Sequence, residues 1–177
     1  KAAPGLVADS VLVDANGAVI DRRAGRIPNE VSKERSKLLS TRIEDIEFQV
    51  ETVREHRLAI VLRGPGLNPD VSGSDPLKDG YRPLALRAIN PEAEKTARVI
   101  NLFVEHARQM IEAYKPKSPA NMLLLRGLDR YPCFPLFSEL FGLRSAAIAV
   151  YPTYRGIAKL VGMEVLPVEG GLTSDEF

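Results

Sequence analysis

Three arginines beside a carboxylate form the residue cluster in this sequence best suited to chemistry. Asp21, Arg22, Arg23 and Arg26 lie close together, directly after a predicted strand. A guanidinium offers a planar fork of donors that matches the oxygens of phosphate and carboxylate groups. Gly25 within the cluster lets the backbone approach a ligand closely. The cluster therefore indicates an anion site, with the alternative that these arginines are solvated and that Asp21 forms only a surface ion pair.

Two further arginines follow apolar runs and are each followed by a glycine. Arg63 comes after the run 58–62, and Arg126 comes after the run 122–125. Open α/β sheets bind ligands outside the carboxyl ends of their strands. We therefore expect Arg63 and Arg126 at a sheet rim, where they share one anionic ligand with the first cluster. The alternative is that each one pairs with a helix carboxylate.

Other residue types give no sign of a complete catalytic site. The two histidines, His56 and His106, belong to no metal-binding spacing. No group of His, Cys and carboxylate residues has the spacing of metal ligands. Ser72 and Ser74 lie in an irregular segment without the sharp turn or the histidine partner that a serine nucleophile needs. The sequence thus predicts anion binding, with no metal ligands and no nucleophile.

Composition restricts the class of protein. The chain has 177 residues, 45% apolar and 27% charged, which is typical of one globular domain. A net charge of +1 and an aromatic content of 6% argue against nucleic-acid binding. Cys133 is the only cysteine, so an internal disulfide is excluded and a reducing cytosol is expected. No apolar run is long enough to span a membrane, and we expect a cytoplasmic protein.

Strand-like and helix-like segments alternate along the chain. Asn16-Gly17 between β-branched runs predicts a hairpin, and the uninterrupted apolar run 58–62 predicts a strand buried on both faces. Asn90 begins the clearest helix, which has apolar residues at spacings of three and four as far as Tyr114. The irregular segment 65–91 is interpreted as a functional loop. The expected fold is α/β, with a mixed central sheet covered by helices in a single domain, 1–177.

Five segments resemble the archaeal-type, 2,3-bisphosphoglycerate-independent phosphoglycerate mutases in order and spacing. They are residues 21–27, 56–64, 74–76, 120–127 and 154–163. Members of this family belong to the alkaline phosphatase superfamily, with a metal-binding phosphatase-like domain and an inserted second domain. The resemblance implies that this chain is the inserted substrate-handling domain alone.

The resemblance also implies an activity for the parent chain. Family members interconvert 3-phosphoglycerate and 2-phosphoglycerate in glycolysis and gluconeogenesis. Phosphate passes to a serine nucleophile and returns to the other hydroxyl, which splits one transfer into two. Two divalent metals (Mn, Mg or Zn) are expected in the other domain, where they activate the nucleophile. The implied partners are phosphoglycerate and the metal-binding catalytic domain of the same parent chain, and the isolated chain is expected to be inactive.

By matching position, the resemblance assigns substrate contacts. Asp21 suits the glycerate hydroxyls, and the arginines suit its carboxylate and phosphate: Arg22, Arg23, Arg26, Arg63 and Arg126. One departure is that Val7-Ala8-Asp9 stands where an Arg-x-Asn-like stretch is expected. Two alternatives stay open. One is a related phosphatase-superfamily enzyme acting on another small phosphorylated or phosphonate substrate, and the other is a non-catalytic anion-binding module.

Overall fold

The computed structural model describes residues 3–114 and 119–171, and the chain divides into two compact units, Lys1–Tyr131 and Pro132–Phe177. The strands of the first unit are β1 (Pro4–Val13), β2 (Val19–Asp21), β3 (Thr41–Ile43), β4 (Ile46–Arg54), β5 (Arg57–Arg63) and β6 (Met122–Arg130). Its helices are α1 (Asn29–Leu39) and α2 (Glu94–Ala113), and a 3-10 turn at Pro91–Ala93 precedes α2. The second unit contains α3 (Phe137–Phe141), β7 (Ala146–Ile148), α4 (Pro152–Leu160) and β8 (Glu164–Leu166). The α/β class is confirmed, and the single domain 1–177 stays a prediction.

The six strands of the first unit form one sheet in which every described pairing is antiparallel. The order is β2-β1-β5-β4-β3, and β6 also pairs with β1. Since β5 and β6 both run antiparallel to β1, they run in the same direction and their carboxyl ends meet at one end of the sheet. Parallel pairing is found between β7 and β8 of the second unit. Both kinds of pairing therefore occur, but in separate sheets.

The β1–β2 hairpin forms where the turn residues predicted it. The Asp14 carboxylate accepts hydrogen bonds from the amides of Asn16 (2.8 Å) and Ala18 (2.9 Å). Gly17 has a φ of +81°, a conformation that glycine adopts without steric cost. Local turn chemistry is therefore enough to fix this connection.

One face of the large sheet packs against α1 and α2 to form the core. Leu58, Ile60 and Leu62 of β5 are at most 1% exposed, whereas Ala59 and Val61 between them are half-buried. The prediction that 58–62 is buried on both faces is wrong, because the helices cover one face. Phe48 of β4 and Phe103 of α2 stack at 4.6 Å between ring centroids inside this core.

Strand β6 continues beyond Gly127, so the prediction that Arg126 lies at a strand end is also wrong. Arg126 pairs with Val7 and Asp129 pairs with Gly5, so two residues of β6 face one residue of β1. Gly127 has a φ of +63° at this β-bulge. The glycine that suggested the end of a strand instead allows the strand to take in an extra residue.

The second unit buries few apolar side chains. Its two strands flank α4 in sequence, and α3 ends at Gly142 in the left-handed conformation (φ +66°). Among residues 132–171 the buried apolar side chains are Ala149 and Ala158. No helix in the described parts of the chain combines the length and the apolar character needed to cross a membrane.

Candidate functional site: an arginine pair held by buried carboxylates

Asp21 organises the loop that carries the arginine cluster. Its Oδ1 accepts a hydrogen bond from the Arg23 amide (2.8 Å), and its Oδ2 accepts one from the Gly25 amide (2.6 Å). These backbone donors hold the pKa of Asp21 below its ordinary value. The carboxylate therefore shapes the loop after β2 and stays ionised at neutral pH.

Three consecutive residues of this loop have left-handed backbone. Ala24, Gly25 and Arg26 have φ values of +45°, +65° and +54°. Only glycine adopts this region without cost, so two residues of the loop are strained. Ala24 is fully buried and packs with Ile27 and Ala120, which holds the strained backbone in place.

The long loop 65–91 brings a second carboxylate to the arginines. Ser74 lies against β6: its amide donates to the Leu125 carbonyl (2.8 Å) and its Oγ accepts from the Leu125 amide (2.8 Å). Ser74 is 2% exposed. Since Asp75 follows Ser74 and Arg126 follows Leu125, this attachment sets the two side chains next to each other.

Asp75 joins Arg22 to Arg126. Its Oδ2 accepts a hydrogen bond from Arg22 Nη2 and lies 3.6 Å from Arg126 Nη1. Its Oδ1 accepts from the Leu77 amide (2.8 Å). The Asp75 side chain is 4% exposed, whereas those of Arg22 and Arg126 are 31% and 43% exposed. A buried carboxylate thus holds two guanidiniums that remain partly open to solvent.

Asp9 holds Arg126 from the other side. Its Oδ2 lies 2.7 Å from Arg126 Nη2, and its Oδ1 lies 3.3 Å from Arg57 Nε and 3.9 Å from His56 Nε2. Asp9 is 8% exposed and lies on β1, directly opposite Arg57 of β5. Its side chain is on the sheet face opposite the helices, because its neighbour Ala8 belongs to the core.

Two ionisable groups of this cluster have shifted pKa values. Burial alone raises the pKa of Asp75, but the hydrogen bonds from Arg22 and the Leu77 amide outweigh it and the net shift is downward. Burial lowers the pKa of His56, and the neighbouring Asp9 only partly offsets this. At neutral pH the Asp75 carboxylate is therefore ionised and the His56 imidazole is neutral.

The structure brings together some of the predicted site residues and separates others. Arg22 and Arg126 meet at Asp75, and the charge of Arg23 acts on His56 nearby. Arg26 is exposed, and its side chain makes no hydrogen bond or ion pair within residues 3–114 and 119–171. Arg63 lies elsewhere. It donates to Gln49 Oε1 (2.5 Å) on β4, away from β6.

Sequence reasoning missed the two carboxylates that hold the pair. Asp75 belongs to the segment 74–76 quoted for the family resemblance, but no role was inferred for it. Asp9 is a charged residue within the largely apolar strand β1. A carboxylate in such a strand is rarely buried unless it is paired, and that signal was available.

The arrangement is suited to binding an oxyanion. The two guanidiniums are partly exposed and are held in place before any ligand arrives, which reduces the entropy lost on binding. Arg22 Nη1 is a buried donor with no hydrogen-bond partner among the described residues, 3.9 Å from Asp79. In the same part of the chain, no group of three His, Cys, Asp or Glu residues could hold a metal ion.

Comparisons with known proteins identify the family of this chain. The model of the 2,3-bisphosphoglycerate-independent phosphoglycerate mutase family matches residues 7–116. A probable mutase of this kind from Thermus thermophilus is 45% identical over 161 residues, covering 89% of this chain and 39% of its own length. One from Aquifex aeolicus is 42% identical over 165 residues, covering 89% of this chain and 40% of its own.

A solved structure of a phosphoglycerate mutase also resembles this chain. The cofactor-independent phosphoglycerate mutase from Thermoplasma acidophilum matches with a TM-score of 0.70 and 29% identity, over 96% of this chain and 48% of its own. The chain therefore spans about two fifths of the length of the curated relatives named above. With a family model that matches more than half of its length, the chain belongs to the 2,3-bisphosphoglycerate-independent phosphoglycerate mutases.

Proposed function

We propose that this chain is the substrate-binding part of an enzyme that interconverts 3-phosphoglycerate and 2-phosphoglycerate. The observation that carries the proposal is that Arg22 and Arg126 share the buried carboxylate of Asp75. Both guanidiniums are partly exposed, so they can bind the phosphate or carboxylate of the glycerate. The enzyme works in the cytoplasm, within glycolysis and gluconeogenesis.

The other predicted contacts belong to the same proposal. Asp21 receives a glycerate hydroxyl, since each carboxylate oxygen has lone pairs beyond those used by the loop amides. Arg23 and Arg26 extend the positive charge along the exposed side of the loop. Arg63 remains a predicted contact that the position of Arg22 and Arg126 does not by itself support.

The chemical step belongs to a part of the parent protein outside this chain. We assign the serine nucleophile and two divalent metals (Mn, Mg or Zn) to that catalytic domain. The length of the relatives supports this, since the chain corresponds to only 39% of the Thermus protein. The isolated chain binds phosphoglycerate weakly and does not turn it over, because binding groups without a nucleophile cannot transfer phosphate.

The exposed apolar surface of the second unit supports a docking role toward the same domain. Its large exposed apolar side chains include Phe134, Leu136, Leu140, Phe141, Leu143 and Ile157. Exposed apolar residues in this density mark a surface that another protein part covers. The occupant we assign is the catalytic domain of the parent chain.

The test is a titration of the full chain with 3-phosphoglycerate, followed by amide NMR. We expect saturable shifts near Arg22 and Arg126, and a loss of about tenfold in affinity in Arg22→Gln and Arg126→Gln. Arg87→Gln is the matched control, because Arg87 is an exposed arginine on the long loop outside the cluster. Parallel titrations with other small phosphate and phosphonate compounds compare substrate classes.

The proposal fails if 3-phosphoglycerate moves no amides of this cluster, or if the control variant weakens binding as much as the two site variants. Tighter binding of a different phosphorylated or phosphonate compound would favour a related enzyme of the same superfamily. Turnover of 3-phosphoglycerate by the isolated chain would contradict the assignment of the nucleophile to another domain.

A further inference from the structure

A largely buried imidazole lies beside the arginine pair. The His56 side chain is 12% exposed, and its Nδ1 has no hydrogen-bond partner within residues 3–114 and 119–171. Its Nε2 lies 3.9 Å from Asp9 Oδ1, and the same carboxylate faces Arg126 and Arg57. A buried polar atom without a partner costs free energy, so its presence next to this site needs an explanation.

The backbone holds this imidazole next to Asp9. Residues 55 and 56 form the turn between β4 and β5. The Glu55 amide donates a hydrogen bond to Asn29 Oδ1 (2.7 Å) at the start of α1. The His56 carbonyl accepts one from the amide of Ser10 (2.7 Å), the residue that follows Asp9 on β1. Contacts on two sides of the turn therefore fix the imidazole beside the carboxylate.

Charged groups act on the imidazole from three parts of the first unit. They belong to β1, to the turn and start of β5, and to the loop after β2: Asp9, Glu55, Arg57, Arg23 and Asp21. Burial is the main cause of the lowered pKa of His56; Asp9 and Glu55 oppose it, and Arg57 and Arg23 add to it. The imidazole therefore gains its charge in mildly acidic solution.

Protonation of His56 adds one positive charge to the site. Asp9 then has a third cationic neighbour beside Arg126 and Arg57, so less of its negative charge offsets the guanidinium of Arg126. That guanidinium attracts an external anion more strongly. One additional unit charge at about 8 Å from a bound anion changes the binding constant by about threefold in a largely hydrated site.

We propose that His56 is a positioning residue of the Arg22–Arg126 site, and that its protonation, acting through Asp9, strengthens oxyanion binding in mildly acidic solution. The inference rests on the anion site of the proposed function, but not on the identity of its substrate. Because coupling between two binding events is reciprocal, a bound anion also favours the charged imidazole by the same factor. The site thus couples the uptake of a proton to the binding of an anion.

The experiment is an NMR titration of the full chain with sulfate at constant ionic strength, at about pH 5 and at about pH 7.5. Sulfate stays a dianion over this range, whereas a phosphate ester changes its charge. We expect binding about two- to threefold tighter at the lower pH. Asp75 and Asp21 do not contribute to the change, because hydrogen bonds hold both pKa values below the ordinary aspartate value.

The imidazole signals give a second readout. The chain has two histidines, and sulfate is expected to raise the pKa of His56 by an amount that matches the change in affinity. His106 is the internal control, because it lies on α2, which covers the other face of the sheet. Sulfate is expected to leave the titration of His106 unchanged.

His56→Gln has a polar side chain that does not titrate, so it is expected to remove the pH dependence of sulfate binding, whereas His106→Gln keeps it. If His56→Gln alters the turn, the imidazole titration of the native chain decides the question. Equal affinity at both pH values, a His56 pKa that sulfate does not move, or pH dependence that persists in His56→Gln would overturn this inference alone. A lack of saturable shifts near Arg22 and Arg126 would overturn the anion site as well.

Discussion

The two compact units differ in how much of their apolar surface they bury themselves. All three described hydrophobic clusters belong to the first unit, where α1 and α2 cover one face of a six-stranded sheet. In the second unit α3 has no buried residue and α4 buries only Ala158. Parallel strands are normally covered on both faces, yet Ile148 of β7 is 53% exposed.

The two units therefore differ in whether their own sequence supplies a hydrophobic core. The first unit contains the apolar residues that its own strands and helices need for a core. The second unit has helical and strand patterns whose apolar sides have little to pack against within residues 132–171. We infer that the first unit dominates the measured stability of the chain.

The largest expected effect is in the core of the first unit. Phe103→Ala removes a fully buried ring that stacks on Phe48, so we expect a loss of about 3–5 kcal/mol in the free energy of unfolding. Leu140→Ala in the second unit, where that side chain is 61% exposed, is expected to cost less than about 0.5 kcal/mol. Urea denaturation measures both, and equal losses would contradict the comparison.

The next largest effect is at Asp75 and depends on pH. Asp75→Asn is expected to cost about 1–3 kcal/mol at neutral pH, because two arginines lose their shared buried counter-charge. Since hydrogen bonds hold the pKa of Asp75 below its ordinary value in the folded chain, its contribution is complete above that ordinary value and is lost as the pH falls through the folded pKa.

The check is the difference in unfolding free energy between the native chain and Asp75→Asn across the acidic range. That difference is expected to be flat from neutral pH to about pH 5 and to shrink only below the ordinary aspartate pKa. A difference that already declines between pH 7 and pH 5 would show that another group is responsible.

A smaller effect concerns ligand affinity. Asp9→Asn removes a negative charge that faces Arg126 and Arg57, so anions are expected to bind the site about fivefold more tightly. This corresponds to about 1 kcal/mol, the effect of one unit charge at about 6 Å in a largely hydrated site. Calorimetric titration with 3-phosphoglycerate measures it, and weaker binding would mean that Asp9 is needed to orient Arg126.

The smallest effect on stability is expected in the second unit, where dye fluorescence is the measurement. The double variant Leu140→Ser and Ile157→Ser removes two exposed apolar side chains, 61% and 54% exposed. It should lower the fluorescence of a dye that binds apolar surfaces and change the unfolding free energy by less than about 0.5 kcal/mol. Unchanged dye fluorescence would indicate that this surface is already covered in solution.

Local features of the fold could be predicted from the sequence because their causes are local. The Asp14 turn and the cap of the long helix, where the Asn90 side chain accepts a hydrogen bond from the Ala93 amide (3.0 Å), each depend on residues a few positions apart. The hairpin and the helix were predicted for these reasons and are confirmed. Turns and helix caps form through hydrogen bonds between residues close in sequence, so a short stretch of sequence is enough to predict them.

The site could be predicted only in part, because its geometry depends on residues distant in sequence. Arg22 meets Arg126 through Asp75, and no local pattern reveals that the long loop attaches to β6. Arg126 was expected at a strand end because a glycine follows it, but Gly127 forms a bulge inside the strand. Whether a glycine ends a strand or bends it is decided by the neighbouring strand.

The bulge in β6 determines which arginines can act together. In a regular strand, side chains four residues apart point the same way, so Arg126 and Arg130 would form one row. With the extra residue, Arg126 is level with Val7 and Arg130 with Pro4, an odd number of steps away, which turns them to opposite faces. The bulge therefore keeps the charge of Arg130 off the face of the sheet on which Arg126 meets Asp9.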